Sequence, residues 1–499
     1  MCFGKLIRFQ SNRIVFDSDD ADPKPGAILV DSESGRIVSV RREITTTDDQ
    51  IETVDFGDLL IFPGLVDSHV HINDPGRDHW ERFDCATKAA IAGGTCTIGD
   101  MPLNCIPVTI SPEAYNVKAR ATMNCLWADV GFVGGLVPAN ADSTLLSALL
   151  DSGVVAVKAF MCYSGIDDYP GATLSDLDRA MPTLAARSMP LMVHAELECS
   201  APVQPPSGAD PRRYQTFLES RPDNMEVSAI NAIIALAEKH DCHVHVVHLS
   251  SCKGLSALQA ARSRNTKVTV ETCPHYLCFS SEEIQEGQTL FKCCPPIRDK
   301  SNRDALWEAL FQGHIDMIVS DHSPSSPDVK CIDTGDFLAA WGGIAGLQFR
   351  LLSIWTEGRK RGVNFSHLCK WLCESPAKLI GFDHCKGRLR AGHDADFVVW
   401  DPECDSAVSS VHHLHKRTPY ETMAFSGRIH FTYRRGQLAY SGATETFGQP
   451  DDGLAIEYGI NFTGYVMSLW SFFILWKLSE IFLLEAWLLC VVILFVDPA

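Results

Sequence analysis

The chain is 499 residues long, 46% apolar and 21% charged, with a formal net charge of −19. That length suits one large barrel with a smaller companion and excludes a lone helical or sandwich module, while the composition excludes a disordered chain and a polytopic membrane protein. The acidic balance, with no Lys/Arg run, excludes a nucleic-acid partner, which needs a basic face.

In chain order, residues 1–62 carry short alternating apolar segments, 27–30 and 36–40, between Gly and Asp turn signals, and predict a small sheet module. From Pro63-Gly64 to about residue 385, apolar runs alternate with helical stretches such as 85–92, 223–239 and 303–311, which predicts β/α units. Pro-rich residues 202–211 read as a surface loop, and glycine-rich 342–346, lacking a phosphate-loop lysine, reads as a barrel loop. Residues 386–446 return to short strands, at 395–400 and 430–433, and are expected to complete the module begun by the N-terminus.

Residues 447–499 form a distinct tail with apolar runs at 465–476 and 481–496. A membrane span needs roughly 20 apolar residues. Each run is shorter, and Lys477, Glu480 and Glu485 interrupt them, so a packed helix is favoured over membrane contact. Nineteen scattered cysteines and a start, Met1-Cys2-Phe3-Gly4-Lys5, without a signal-peptide core predict reduced thiols and a cytoplasmic location.

The chemistry begins at Gly64-Leu65-Val66-Asp67-Ser68-His69-Val70-His71. Strand residues two apart share a face, so His69 and His71 can present two imidazoles to one metal. Four later apolar runs end in Lys158, His194, His248 and Asp321, and in a parallel barrel such strand ends converge on one mouth. A hydrogen-bonded core histidine is the ordinary explanation for any one of them; the coincidence of all of them predicts a metal site. An ammonium at Lys158 would repel cations and carry a desolvation cost. Carbamylation by carbon dioxide removes both objections, because the product is a carboxylate able to bridge two ions. Imidazole donors favour zinc or another borderline metal over calcium. His243 and His245 read as core histidines, and His322 as a brace for the loop beyond Asp321.

These residues resemble the cyclic amidohydrolases of the amidohydrolase superfamily, whose branches are the allantoinases, the dihydropyrimidinases or hydantoinases, and the dihydroorotases. The likeness covers about residues 1–446. It implies an α/β fold, a TIM-type (β/α)8 barrel beside a small β-sandwich built from both chain ends. It implies that His69, His71 and Asp321 bind one divalent metal, His194 and His248 the other, and carbamylated Lys158 bridges them. It also implies a homo-oligomer, commonly a tetramer.

Within the superfamily, Asn73 stands where dihydroorotases place a substrate-binding Arg, whereas Asp74-Pro75-Gly76-Arg77 and Asp100-Met101-Pro102-Leu103-Asn104 look like the allantoinase branch. Cys105 and Cys294 depart from the small polar residues common at those positions. Asn104, Ser323 and Arg77 are the expected substrate contacts. The expected reaction is hydrolysis of a ring amide of (S)-allantoin to allantoate by a metal-bridging hydroxide, with Asp321 as proton shuttle. A dihydropyrimidinase or hydantoinase is the alternative. A non-catalytic scaffold is a third reading, against which all six ligand positions are filled.

Overall fold

A computed structural model of the chain describes residues 5–44, 51–198, 208–407, 410–451 and 453. The expectations for the apolar tail runs and for most of the Pro-rich loop fall outside the described residues. Among those described, no helix is long and apolar enough to cross a membrane.

The N-terminal strands are β1 (Leu6–Ile14), β2 (Lys24–Asp31), β3 (Arg36–Arg41), β4 (Glu52–Asp55) and β5 (Leu60–Pro63). Gly64 passes the chain into the barrel at a point with no room for a side chain: a Cβ there would lie 2.7 Å from Cys96 Sγ.

The barrel strands follow as β6 (Leu65–Val70), β7 (Thr95–Asp100), β8 (Asp129–Phe132), β9 (Gly134–Gly135), β10 (Val157–Phe160), β11 (Leu191–His194), β12 (Val244–Val246), β13 (Val268–Thr272) and β14 (Met317–Ile318). Each hydrogen-bonded pair is parallel. Nearly every strand residue is buried, as the two-sided cover of a parallel sheet requires. Helices such as Phe83–Ala92, Leu174–Ala186, Asp223–His240 and Lys300–Phe311 lie between successive strands. The ring closes through a parallel bridge between Val70 and His322. Arg350, fully buried, reinforces that seam by donating to Val66 O at 2.9 Å and Ile318 O at 3.1 Å.

The remaining strands, β15 (Phe397–Ala407), β16 (Ala424–Arg434), β17 (Gln437–Ser441) and β18 (Thr446–Phe447), join the N-terminal ones in a nine-stranded sheet ordered β18-β17-β16-β15-β5-β1-β2-β3, with β4 paired to β1. This is the β-sandwich built from both ends. Strand alternation explains how it holds the barrel. Leu60, Phe62, Val398 and Trp400 face the barrel core, while Ile61, Phe397 and Val399 face the sandwich core with Phe9, Ile28 and Val30.

Two strand ends differ from the sequence expectation. The run 154–157 was expected to end in Lys158, yet the strand is Val157–Phe160, because its pairing with Gly134–Gly135 starts only at Val157. The run 315–320 shortens to Met317–Ile318. Beyond it the chain turns outward, and Asp321 takes a left-handed φ of 45°.

A buried charge cluster ties barrel to sandwich. Lys386 Nζ lies 2.5 Å from Asp129 Oδ2 on β8, and 2.8 and 2.7 Å from Asp394 and Asp396 just before β15. Removing the ammonium would leave Asp396 without its ion-pair partner among the described residues, and Asp129 and Asp394 with only their arginine neighbours. Lys386→Met is therefore expected to destabilise the fold by about 3–5 kcal/mol, read from the urea midpoint; a variant as stable as the parent would contradict this role.

Candidate active site

The strand ends bring all six expected ligand residues together, and all six side chains are buried. His69 lies within β6 and His71 just beyond it, with ring centroids 5.4 Å apart. Asp321 Oδ1 sits 3.3 Å from His69 Nε2 and 3.6 Å from His71 Nε2. From the opposite side come His194, which ends β11, and His248, two residues past β12. Their rings are 4.6 Å apart, and His248 is 5.4 Å from His69. Lys158 Nζ stands 5.1 Å from the centre of the Phe160 ring, which stacks on His194 at 4.4 Å.

Burial dominates the electrostatics. It pushes His69, His71 and His248 well below the ordinary histidine range, helped by the nearby Lys158 charge, so each imidazole is neutral and keeps a lone pair. Burial also lowers Lys158 to about 8 and raises Asp321 to about 8. A lysine in that range is partly neutral amine at physiological pH, and only the neutral amine can react with carbon dioxide.

The donor set fits divalent cations. His69, His71 and Asp321 offer three ligand atoms within 4.8 Å of one another. His69 Nε2, Lys158 Nζ and His248 Nδ1 are buried without a hydrogen-bond partner among the described residues, a condition rare for polar atoms unless something else satisfies them. The histidine protons are directed away from the centre: His69 Nδ1 is 2.5 Å from Glu271 Oε1, and His194 Nε2 is 2.7 Å from Glu196 Oε2. Glu196, held ionised, can only accept, so His194 carries its proton on Nε2 and leaves Nδ1 free as a donor; an ionised Glu271 would do the same for His69.

Glu271 and Glu196 carry roles the sequence reading missed. Glu271, raised to about 8 by burial, binds His69, lies 2.9 Å from His245 Nε2, and accepts from His248 N at 3.2 Å. His245 is thus a brace for Glu271 and not merely a core residue. The available signal was its place near the end of β13, the rule that found the other ligands. Glu196 accepts from Arg221 Nη1 at 2.5 Å, and burial notwithstanding, that guanidinium and His194 hold it down at about 2. His322 braces the Asp321 loop as expected: its carbonyl accepts from His71 N at 2.7 Å and its Nδ1 from Gly346 N at 3.2 Å.

The site opens into a cavity of about 590 Å³ whose lining includes His71, His194, His248 and Asp321 together with Asn104, Ser323, Tyr163, Arg221 and Trp341. Asn104 and Ser323 therefore reach the space next to the candidate metal ligands. Arg77 does not. Its guanidinium lies behind the wall, donating to Asn104 O at 2.7 Å and facing Asp168 at 3.7 Å. Through that bond Arg77 supports the backbone of Asn104, which itself lines the cavity. Asn73 likewise binds protein, donating to Pro324 O at 3.0 Å. Asn73, Asn104, His248 and Asp321 all adopt positive φ, from 37° to 71°. Such strain, roughly 1–3 kcal/mol per residue, clusters at sites where geometry matters more than stability.

The profile of the Amidohydrolase family matches residues 60–439, more than half the chain, and the chain belongs to that family. It is 44% identical to the allantoinase of Arabidopsis thaliana over 82% of this chain and 84% of that one. With the allantoinase of Saccharomyces cerevisiae the identity is 40%, over 84% and 93% respectively. Among solved structures, the L-hydantoinase (dihydropyrimidinase) of Arthrobacter aurescens superposes with a TM-score of 0.82 at 28% identity, covering 91% of this chain and 99% of that one.

Replacing Glu271 tests the support of His69. Glu271→Gln replaces one of the two carboxyl oxygens that face His69 Nδ1 and His245 Nε2 with an amide nitrogen, and metal affinity is expected to fall about 10–100-fold in competition with a chromophoric chelator. An unchanged affinity would show that Glu271 does not orient the site.

Proposed function

We propose that this chain is an allantoinase, hydrolysing a ring amide of (S)-allantoin to allantoate in the breakdown of purine-derived ureides. The observation that carries the reading is the pair of relatives named allantoinase, from a plant and a yeast, each matching more than four fifths of this chain. The buried donor set beside a small polar cavity supports it.

In this reading His69, His71 and Asp321 would hold one divalent ion and His194 and His248 a second, with Lys158, as its carbamate, a ligand able to serve both. Zinc suits the imidazole donors. Two such ions, when bound, acidify water toward neutral pH and polarise the amide carbonyl. The protein's own groups do the rest. Asn104 accepts from a ring N–H through Oδ1, which has no partner among the described residues. Ser323, whose hydroxyl donates and accepts, fixes the other edge of the ring. Asp321 takes the proton of the attacking water and returns it to the ring nitrogen as the C–N bond breaks, giving the carboxylate and the freed ureide nitrogen.

The reading extends to a homotetramer in a reducing, cytoplasmic setting. Support for that compartment is that every cysteine among the described residues is free. Hydantoinase or dihydropyrimidinase activity is the second reading, favoured by the solved relative of that name.

Side-by-side turnover separates the two: kcat/KM is expected to be highest for allantoin, whereas a preference for dihydrouracil or hydantoin would transfer the chain to the second reading. Asp321→Asn is expected to lower kcat by about 10²–10⁴ while retaining metal, and undiminished turnover would remove Asp321 from the proton path. Enzyme equilibrated with ¹³C-bicarbonate should show a carbamate carbon resonance that Lys158→Ala lacks; an identical spectrum in the two proteins would rule out the bridge.

A further inference from the structure

One wall of the cavity is built without helix or strand. Val329, Cys331, Leu338, Trp341 and Gly342 line it, and the chain from 329 to 343 consists of turns and irregular backbone. Two buried lysines hold this wall. Lys330 Nζ donates to Lys292 O at 2.8 Å, to Trp341 O at 2.9 Å and to Gly343 O. Lys292 Nζ donates to Leu338 O at 3.0 Å and to Ala340 O, and sits 5.0 Å from the centre of the Phe217 ring.

Among the described residues the hydrogen-bond acceptors of both ammonium groups are backbone carbonyls, with no carboxylate among them. Burying an ammonium without a carboxylate is costly unless other acceptors replace its hydration. Here backbone carbonyls do so: although burial lowers Lys330 to about 7, the three protons of its ammonium form meet three carbonyls, all belonging to the wall or to Lys292. The two clamps interlock, because Gly343 N also donates to Lys292 O at 2.9 Å.

The clamped segment bears directly on an expected substrate contact. Ser323 N donates to Ile344 O at 2.9 Å. A Cβ on Gly343 would lie 2.2 Å from Ser323 O and 2.7 Å from Ser323 Oγ, so the two backbones are in contact with no room for a side chain. Trp341, within the clamped segment, packs edge-on against Trp80 at 4.8 Å.

We propose that Lys330, with Lys292, is a specificity-determining positioning residue: the ammonium groups clamp residues 338–343 against Ser323, and the wall so fixed selects ring substrates by the substituent they carry. The proposal rests on the ring-hydrolase reading above. Allantoin carries a ureido arm that unsubstituted hydantoin lacks, so a loosened wall should affect the first more than the second.

The test is steady-state kinetics of Lys330→Met and Lys330→Arg on allantoin and on hydantoin. Lys330→Met is expected to raise KM for allantoin about tenfold with kcat within about threefold, and to move KM for hydantoin by less than about threefold. Lys330→Arg, which keeps charged donors, should recover part of the loss. A folded Lys330→Met with the parent's KM ratio overturns the proposal, as does an equal fall in kcat on both substrates. Should Lys330→Met fail to fold, Lys292→Met carries the same expectation. Hydrogen exchange on the parent must also show slow amides across 338–343, and exchange as fast as in an open loop overturns the clamp. If the parent opens hydantoin but not allantoin, the allantoinase reading fails instead, and the clamp is then judged on two hydantoins with C5 substituents of different size.

Discussion

Six ionisable side chains share a buried barrel mouth, and their charges cannot all be satisfied by one another. Burial drives the imidazoles neutral, lifts Asp321 and Glu271 to about 8 and pulls Lys158 down to the same value. Cations change this balance, since they favour ionised carboxylates and neutral histidines together. Much of the surrounding structure serves to keep these donors pointing inward. Glu271 and Glu196 take the outer imidazole protons, and His245 and Arg221 hold those carboxylates in turn.

Rigidity comes from outside the ligand set. The barrel is closed by Arg350 beneath the site, and Lys386 fastens β8 to the sandwich through three buried carboxylates. Against that frame the short loops past β12 and β14 can hold His248 and Asp321 at left-handed φ. The strain is affordable because these loops are braced, Asp321 by the neighbouring contacts of His322 and His248 by the bond from its amide to Glu271. The cavity also borders a less regular part of the molecule, the turn-built wall from 329 to 343.

The clustering of the candidate metal ligands was legible because parallel-barrel geometry converts a one-dimensional rule, polar residues at the ends of apolar runs, into a three-dimensional cluster. Strand alternation paired His69 with His71, but only the later strand-end residues Lys158, His194, His248 and Asp321 made that pair part of a candidate site. Glu271 obeyed the same rule yet was passed over, since a glutamate among apolar residues gives no metal-spacing signal of its own. For Arg77 the motif located a loop but not the direction of a long side chain, whose guanidinium donates to Asn104 O. Lys292 and Lys330 left no pattern at all, because their partners are backbone carbonyls and any residue supplies one. The sandwich was readable as two strand-rich ends, while its sheet order depends on pairings between residues some 340 positions apart, such as Ile61 with Val399.

The central claim is that this buried donor set is a metal centre that opens the allantoin ring. Its most direct test is the metal content of the purified chain, measured alongside allantoin hydrolysis before and after chelation. The account predicts two divalent ions per chain, loss of ring opening as they are removed, and recovery on adding zinc. Full hydrolysis of allantoin by the metal-free chain would contradict it.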